Sequence, residues 1–154
     1  MPANAVALLD GAQCQELESF LADRIYEFNS NATGYSDGRL LAGRVQDAAG
    51  EVIAGFSGHT WGGCCELSYV WVHERYRGQG LGRALLQAAE AQARQRGCAQ
   101  VVLLTHSFQA PAFYEHLGYA RRYANEGRPK GHSNILRASD PQRAGRASTG
   151  KPAW

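Results

Sequence analysis

Ser68-Tyr69-Val70-Trp71-Val72-His73-Glu74-Arg75-Tyr76-Arg77-Gly78-Gln79-Gly80-Leu81-Gly82-Arg83, running on through Ala84-Leu85-Leu86 to Arg96, is the stretch on which the fold turns. Ser68 to Val72 reads as a buried strand, His73 to Tyr76 as a polar turn, and Arg77 to Gly82 as a glycine loop that opens directly into a helix. Three glycines at alternate positions let the backbone curl so that several N–H groups share one concavity. The helix that follows adds its unsatisfied N-terminal donors and the positive end of its dipole at the same place. A loop of this kind holds an anion, most naturally a phosphate or pyrophosphate.

Working outward, 154 residues are enough for one domain with a substantial core. Hydrophobic content of 44% and charged content of 19% are ordinary for a globular protein. No apolar run approaches the roughly 20 residues that span a bilayer. No basic segment followed by an apolar one marks the N-terminus as a secretory signal, so no membrane partner and a cytoplasmic location are expected. Formal net charge is +2, and its excess lies after Arg137, where three basic residues meet one acid; thirteen of each sign remain before that point. A neutral body offers no nucleic-acid footprint. Cys14, Cys64, Cys65 and Cys98 fit no metal spacing, and the five histidines include no H-x-x-x-H pair, so the cysteines read as reduced small hydrophobes and no metal is expected.

In chain order, Ala5 to Leu9 is a candidate first strand, and Gln13 to Phe28 an amphipathic helix through Leu17, Phe20, Leu21, Ile25 and Phe28. Asn29 to Gly38 reads as a polar loop able to shape a pocket. Arg39 to Gln46 and Glu51 to Trp61 form a hairpin; Gly55 and Gly58 in its second arm suggest a bulge or a close backbone approach. Cys64 to Val72 is the central strand, Gly97 ends the helix after the glycine loop, and Gln100 to Thr105 is a buried strand. Ala110 to Leu117 is a short helix with Pro111 in its first turn, followed by strands at Tyr119 to Tyr123 and Ser133 to Arg137. The order predicts a mixed α/β domain over residues 1–137 and a flexible basic tail over 138–154.

The phosphate carrier can be narrowed on residues. A P-loop needs Lys-Ser/Thr after its last glycine, and Arg83-Ala84 stand there; a dinucleotide fold wants a third glycine where Arg83 sits and an acid on the next strand, which has none. Arg77-Gly78-Gln79-Gly80-Leu81-Gly82 instead resembles the R/Q-x-x-G-x-G/A acyl-CoA signature of the GNAT superfamily of N-acetyltransferases. Phe113-Tyr114-Glu115-His116-Leu117-Gly118-Tyr119 is similar to that superfamily's FYEKLGF segment. Thr105-His106-Ser107-Phe108-Gln109-Ala110-Pro111 resembles the TFSFQAP run of one bacterial branch. The resemblance covers Arg39 to about Arg137.

It implies the GNAT-like fold, in which a central sheet splays between Glu66–Val72 and Gln100–Thr105 with acetyl-CoA in the gap. Backbone amides from Gln79 to Arg83 would take the pyrophosphate, the backbone of Trp71 and Val72 would pair with the pantetheine arm, and Val72 N–H would meet the oxyanion. Ser107 stands where many relatives place an Asn against CoA, Ala110 lies beside it, and Arg75 and Arg83 are within sequence reach of the phosphates. Homodimers are common among relatives.

Acetyl transfer to an amine needs a deprotonated nucleophile, donors for the oxyanion and a proton for the leaving thiolate. The matched motif makes Tyr114 the acid; without the motif it would read as a core aromatic. Glu66 reads either as the base, its pKa raised by burial in an apolar strand, or as a strand-end glutamate in solvent. Tyr35, Asp37, Trp61, Tyr69, Phe108 and Gln109 are candidates for the acceptor pocket, where an acid beside aromatics would suit a cationic amine. The function expected is N-acetylation of a primary amine on a small molecule by direct attack in a ternary complex. The alternative is a CoA-binding or sensor module without turnover.

Overall fold

The computed structural model describes residues 4–141, in two compact units that divide at Ser36. The first contains helix α1, Ala12–Thr33. Its apolar spacing gives the amphipathic pattern, but it runs five residues beyond Phe28 and stops only where Gly34 takes the left-handed conformation, φ +78°. Asn29 to Thr33 carry no apolar period, yet nothing in them breaks a helix, and Thr33 Oγ1 bonds back to the Asn29 carbonyl at 2.7 Å. Residues 5–10 form no strand, contrary to the sequence expectation. Among the described residues they have no ladder partner, and a strand exists only by pairing.

The second unit is a six-stranded sheet with α2, Leu81–Gln95, packed on β1 to β4. Its strands are β1 (Arg39–Gln46), β2 (Val52–Trp61), β3 (Cys64–Val72), β4 (Gln100–His106), β5 (Ala120–Glu126) and β6 (Ser133–Ser139), ordered β1-β2-β3-β4-β6-β5. All pairings are antiparallel except β3 with β4. A short helix α3, Pro111–His116, links β4 to β5. β6 extends two residues beyond Arg137, into the stretch read as a tail from composition; residues 142–154, on which the rest of that reading falls, lie outside the described residues. Among the described residues no helix is long and apolar enough to cross a membrane.

α2 buries Gly82, Leu85, Leu86, Ala89 and Ala93, an i, i+3/4, i+7 stripe. Ala89 and Ala93 are wholly buried, and their small side chains let the helix lie close on the sheet. Each buried leucine contributes on the order of 1.5–3 kcal/mol. The far end of the helix is tied down by Arg96, whose Nη1 donates to the Leu40 carbonyl (3.1 Å) and Thr60 Oγ1 (3.0 Å).

One residue breaks the regularity of the sheet where it matters. Ser57 faces Tyr69 across β2 and β3, but Gly58 faces Leu67, so Ser68 is an extra residue in β3. Burial shows the same slip: Cys65 and Leu67 point inward below it, Val72 above it. Gly58 permits the bulge. A Cβ there would run into the Glu66 carbonyl oxygen and come within 2.9 Å of the Leu67 Cα.

Candidate active site

β3 and β4 are in register only from Cys64–Gln100 to Leu67–Leu103. Above Leu67 they part: β3 stays with β2 as far as Val72, and β4 stays with β6, from Leu104–Leu136 to His106–Asn134. The Ser68 bulge lies at the fork, and a bulge adds local twist, which turns the upper half of β3 away from β4. The gap is a cavity of about 250 Å³, walled by Leu67, Ser68, Tyr69, Val70 and Trp71 on one side and by Leu103, Leu104, Thr105, Gln109 and Tyr114 on the other.

Backbone direction in the gap follows from one bond. His73 N–H donates to the Ile53 carbonyl on β2 at 2.8 Å. Successive residues of a strand turn their N–H groups to opposite edges, so Trp71, two residues earlier, also turns its N–H toward β2, where it faces Gly55. Val70 and Val72 turn theirs into the gap. The sequence expectation named the backbone of Trp71 and Val72; the period of two turns that of Val70 and Val72 into the gap and that of Trp71 toward β2.

At the top of the gap His73 Nδ1 accepts from Arg75 N–H (3.1 Å) and caps a 3-10 turn, Glu74–Tyr76. Arg77 Nε donates to the Val72 carbonyl at 3.1 Å, so this side chain fastens the loop to the strand end. Gly78 and Gly80 have φ of +77° and +85°, which side chains other than hydrogen resist. Gly80 is the N-cap of α2; no side chain caps the helix and its first turn has no acid. The first intrahelical acceptor is met by Ala84 N–H, on the Gly80 carbonyl at 3.1 Å. Gln79, Leu81, Gly82 and Arg83 complete a mouth of main-chain donors with a positive dipole end, chemically suited to a phosphate group.

Tyr114 stands in the opposite wall, 4% exposed, on α3. Burial pushes its phenol up to about 12, against the lowering effect of the Arg137 charge. It is therefore protonated across the physiological range. Ala110 caps α3 with φ +38°, a left-handed conformation unusual for a residue with a side chain, and Pro111 starts the helix. Gln109 is held in place by its Oε1, which accepts from His106 N–H at 2.8 Å. Ser107 Oγ accepts from Ser133 N–H at 3.1 Å, joining this turn to β6. Phe108 is half-exposed, stacked on His106 with centroids 5.2 Å apart and edge-on to His132 at 4.9 Å.

Of the two readings of Glu66, the glutamate in solvent is the one that fits: its side chain is 56% exposed and lies 3.8 Å from His59 Nε2 on the surface. Asp37 and Trp61 are not brought to the gap. Asp37 Oδ1 accepts from Gly62 N–H (3.0 Å), and Trp61 pairs with Cys64; both stand at the closed end of β3 and β4, away from the gap. About 13 Å of strand separates Cys64 from Ser68 at roughly 3.3 Å per residue. Tyr35 belongs to the helical unit and is assigned no role. Tyr69 borders the gap and also, with Trp71, an open apolar groove of about 540 Å³ on the sheet beside Val52 and Phe56.

One residue lining the gap, Thr105, and one packed behind it, Arg137, escaped sequence reasoning. Thr105 is 3% exposed and Arg137 1%, and Arg137 Nε donates to Thr105 Oγ1 at 3.0 Å. The available signal was parity: Arg137 sits two residues after Ile135, in phase with a buried position. Among the cysteines, Cys65 and Cys98 are buried and free, and burial pushes the Cys65 thiol up to about 12. Among the described residues no three His, Cys, Asp or Glu gather as a metal site would require.

Residues 6–119 match the Acetyltransferase (GNAT) family. The chain is 33% identical over 106 residues to acetyltransferase Atu2258 of Agrobacterium fabrum, covering 69% of this chain and 77% of that protein. It is 41% identical over 71 residues to the blasticidin-S acetyltransferase of Streptomyces morookaense, covering 46% of this chain and 52% of that one. The crystal structure of an acetyltransferase from Bacillus cereus superposes with a TM-score of 0.72 at 25% identity, covering 88% of this chain and 97% of that one.

Proposed function

Because the chain belongs to the GNAT family of acetyltransferases, whose donor is acetyl-CoA, we propose that it transfers the acetyl group to a primary amine of a small molecule by direct attack in a ternary complex. The observation that carries this reading is the forked sheet: a gap with main-chain donors at its mouth and a buried, protonated phenol in its wall.

The donor's pyrophosphate would rest on the N–H groups of Gln79 to Arg83, below the positive end of α2. Its pantetheine arm would take the place of the missing strand against Val72. Val70 N–H, one repeat deeper, then faces the thioester carbonyl and takes the oxyanion, a role the resemblance alone would have given to Val72. The amine loses its proton to water, since the exposed Glu66 is assigned no part, and its lone pair attacks the carbonyl carbon. As the C–S bond breaks, Tyr114 gives its phenolic proton to the sulfur, and the phenolate recovers a proton from water. Free thiol and amide leave.

A small acceptor agrees with the balanced charge of the folded part, which provides no broad field for a charged polymer. It agrees too with the relative that acts on blasticidin S, as its name states. With Asp37 at the closed end, recognition of the acceptor falls to Tyr69, Phe108 and Gln109 around the gap.

The test is thiol release from acetyl-CoA across a panel of amines that includes nucleoside and aminoglycoside antibiotics, amino acid amides and peptide N-termini. Release with one small-molecule class is expected, and Tyr114→Phe should lower kcat by about 10²-fold with KM for acetyl-CoA little changed. CoA binding without thiol release from any amine would mean a module that binds and does not turn over.

A further inference from the structure

Among the described residues Arg137 is the largest side chain to be fully buried, and a guanidinium out of water is costly unless it is paired. Its pairing is thin. Nε donates to Thr105 Oγ1 at 3.0 Å, while Nη1 approaches Glu115 Oε1 only at 3.5 Å, and that carboxylate is 61% exposed. A stabilising ion pair would have been built differently. What the placement does achieve is to span the wall of the gap, from Thr105 on β4 to Glu115 on α3, the residue next to Tyr114. Thr105 and Tyr114 both line the cavity.

We propose that Arg137 is a positioning residue for the transfer: its buried guanidinium holds the Tyr114 wall in place and offsets the negative charge left on that phenol when its proton goes to sulfur. The inference rests on Tyr114 acting as the acid in the reaction described above. The proton leaves oxygen for the departing thiolate, so a neutral phenol becomes an anion inside a wall with little water. Burial opposes that anion, and the Arg137 charge acts in the other direction. The two aromatic neighbours and the adjacent carboxylate contribute no positive charge. Phe113 is apolar, and the Tyr119 ring, edge-on at 6.2 Å, directs its hydroxyl to Glu90 at 2.8 Å. Glu115 is acidic and its carboxylate lies largely in solvent.

The experiment is a double-mutant cycle with Arg137→Met and Tyr114→Phe, at saturating acetyl-CoA and an accepted amine, with Arg137→Lys alongside. Methionine leaves no buried charge unpaired, because the carboxylate facing Arg137 is exposed. Arg137→Met is expected to lower kcat about tenfold, the change carried by one pKa unit in the donor, with KM for acetyl-CoA within about twofold. Lysine should recover part of the loss, and the double variant should be no slower than Tyr114→Phe alone. A normal kcat for Arg137→Met, or a loss that multiplies with that of Tyr114→Phe, overturns the proposal and leaves the acid assignment standing. A normal kcat for Tyr114→Phe itself overturns both. Should Arg137→Met fail to fold, Thr105→Val removes the hydroxyl that orients Nε. Its loss in kcat must then vanish in the Tyr114→Phe background, and an equal loss in both backgrounds refutes the inference.

Discussion

Gly58→Ala isolates the device that opens the cleft. The φ of Gly58 is not in the left-handed region, so the substitution is decided by space alone. The added methyl collides with the Glu66 carbonyl oxygen and lies 2.9 Å from the Leu67 Cα and 3.0 Å from the Glu66 carbonyl carbon. All three are main-chain atoms of β3, and no side-chain rotation relieves them. Relieving the overlap with the carbonyl oxygen requires the strands to separate by roughly an ångström, an overpacking that costs about 2 kcal/mol. At this chain length that is about 4–8 °C in Tm. The separation falls at the bulge, so CoA affinity should fall with stability. Gly43→Ala is the comparison: its methyl would meet the ring of Phe56, a core side chain, at 2.5 Å, so it should cost stability away from the bulge and leave CoA affinity near that of the parent. Thermal unfolding followed by circular dichroism, and calorimetric titration of CoA, measure the two quantities. A Gly58→Ala protein with the Tm and CoA affinity of the parent would refute the claim that this close approach shapes the fork.

Gly80→Ala places a side chain at φ +85° with nothing within 4 Å of it, so the cost is backbone strain alone, about 1–2 kcal/mol. If the loop grips phosphate, Kd for CoA should rise roughly tenfold; an unchanged Kd would move the phosphate elsewhere. Glu90, buried and accepting from the Tyr119 hydroxyl, has its carboxyl held above the ordinary value by burial. Its contribution to stability is thus complete below the unfolded pKa and lost as pH rises through the folded one. Glu90→Gln cannot ionise and should lose less stability than the parent as pH rises above the ordinary carboxylate range, and parallel curves from chemical denaturation would contradict this.

Much of the sheet unit was legible because its signals are local. The hairpin around Asp47–Gly50, the glycine loop and the helix ending at Gly97 are each specified by neighbours in sequence. What escaped depends on partners far away. Whether Ala5 to Leu9 is a strand depends on a ladder that no nearby residue announces. The end of α1 was misplaced because polar residues at 29–33 suggest a loop, whereas only Gly34 stops the helix. Asp37 and Trp61 belong to the sequence neighbourhood of a pocket, but strand register carries them to the closed end of β3 and β4. Glu66 shows how an apolar strand misleads where alternation would not: its neighbours Cys65 and Leu67 are buried, so the period of two turns it to solvent. Arg137 is the reverse case, a charge in a buried phase that a polarity rule would place in solvent.

The extra residue at Ser68 has an implication for how this architecture can change. Losing that single codon would let the inward rows of β3 run continuously and would allow the ladder with β4 to close along its length, sealing the crevice. Gaining it opens the crevice again. A chain with this position deleted would keep the inward side chains of β3 in phase and still have no crevice to admit a thioester.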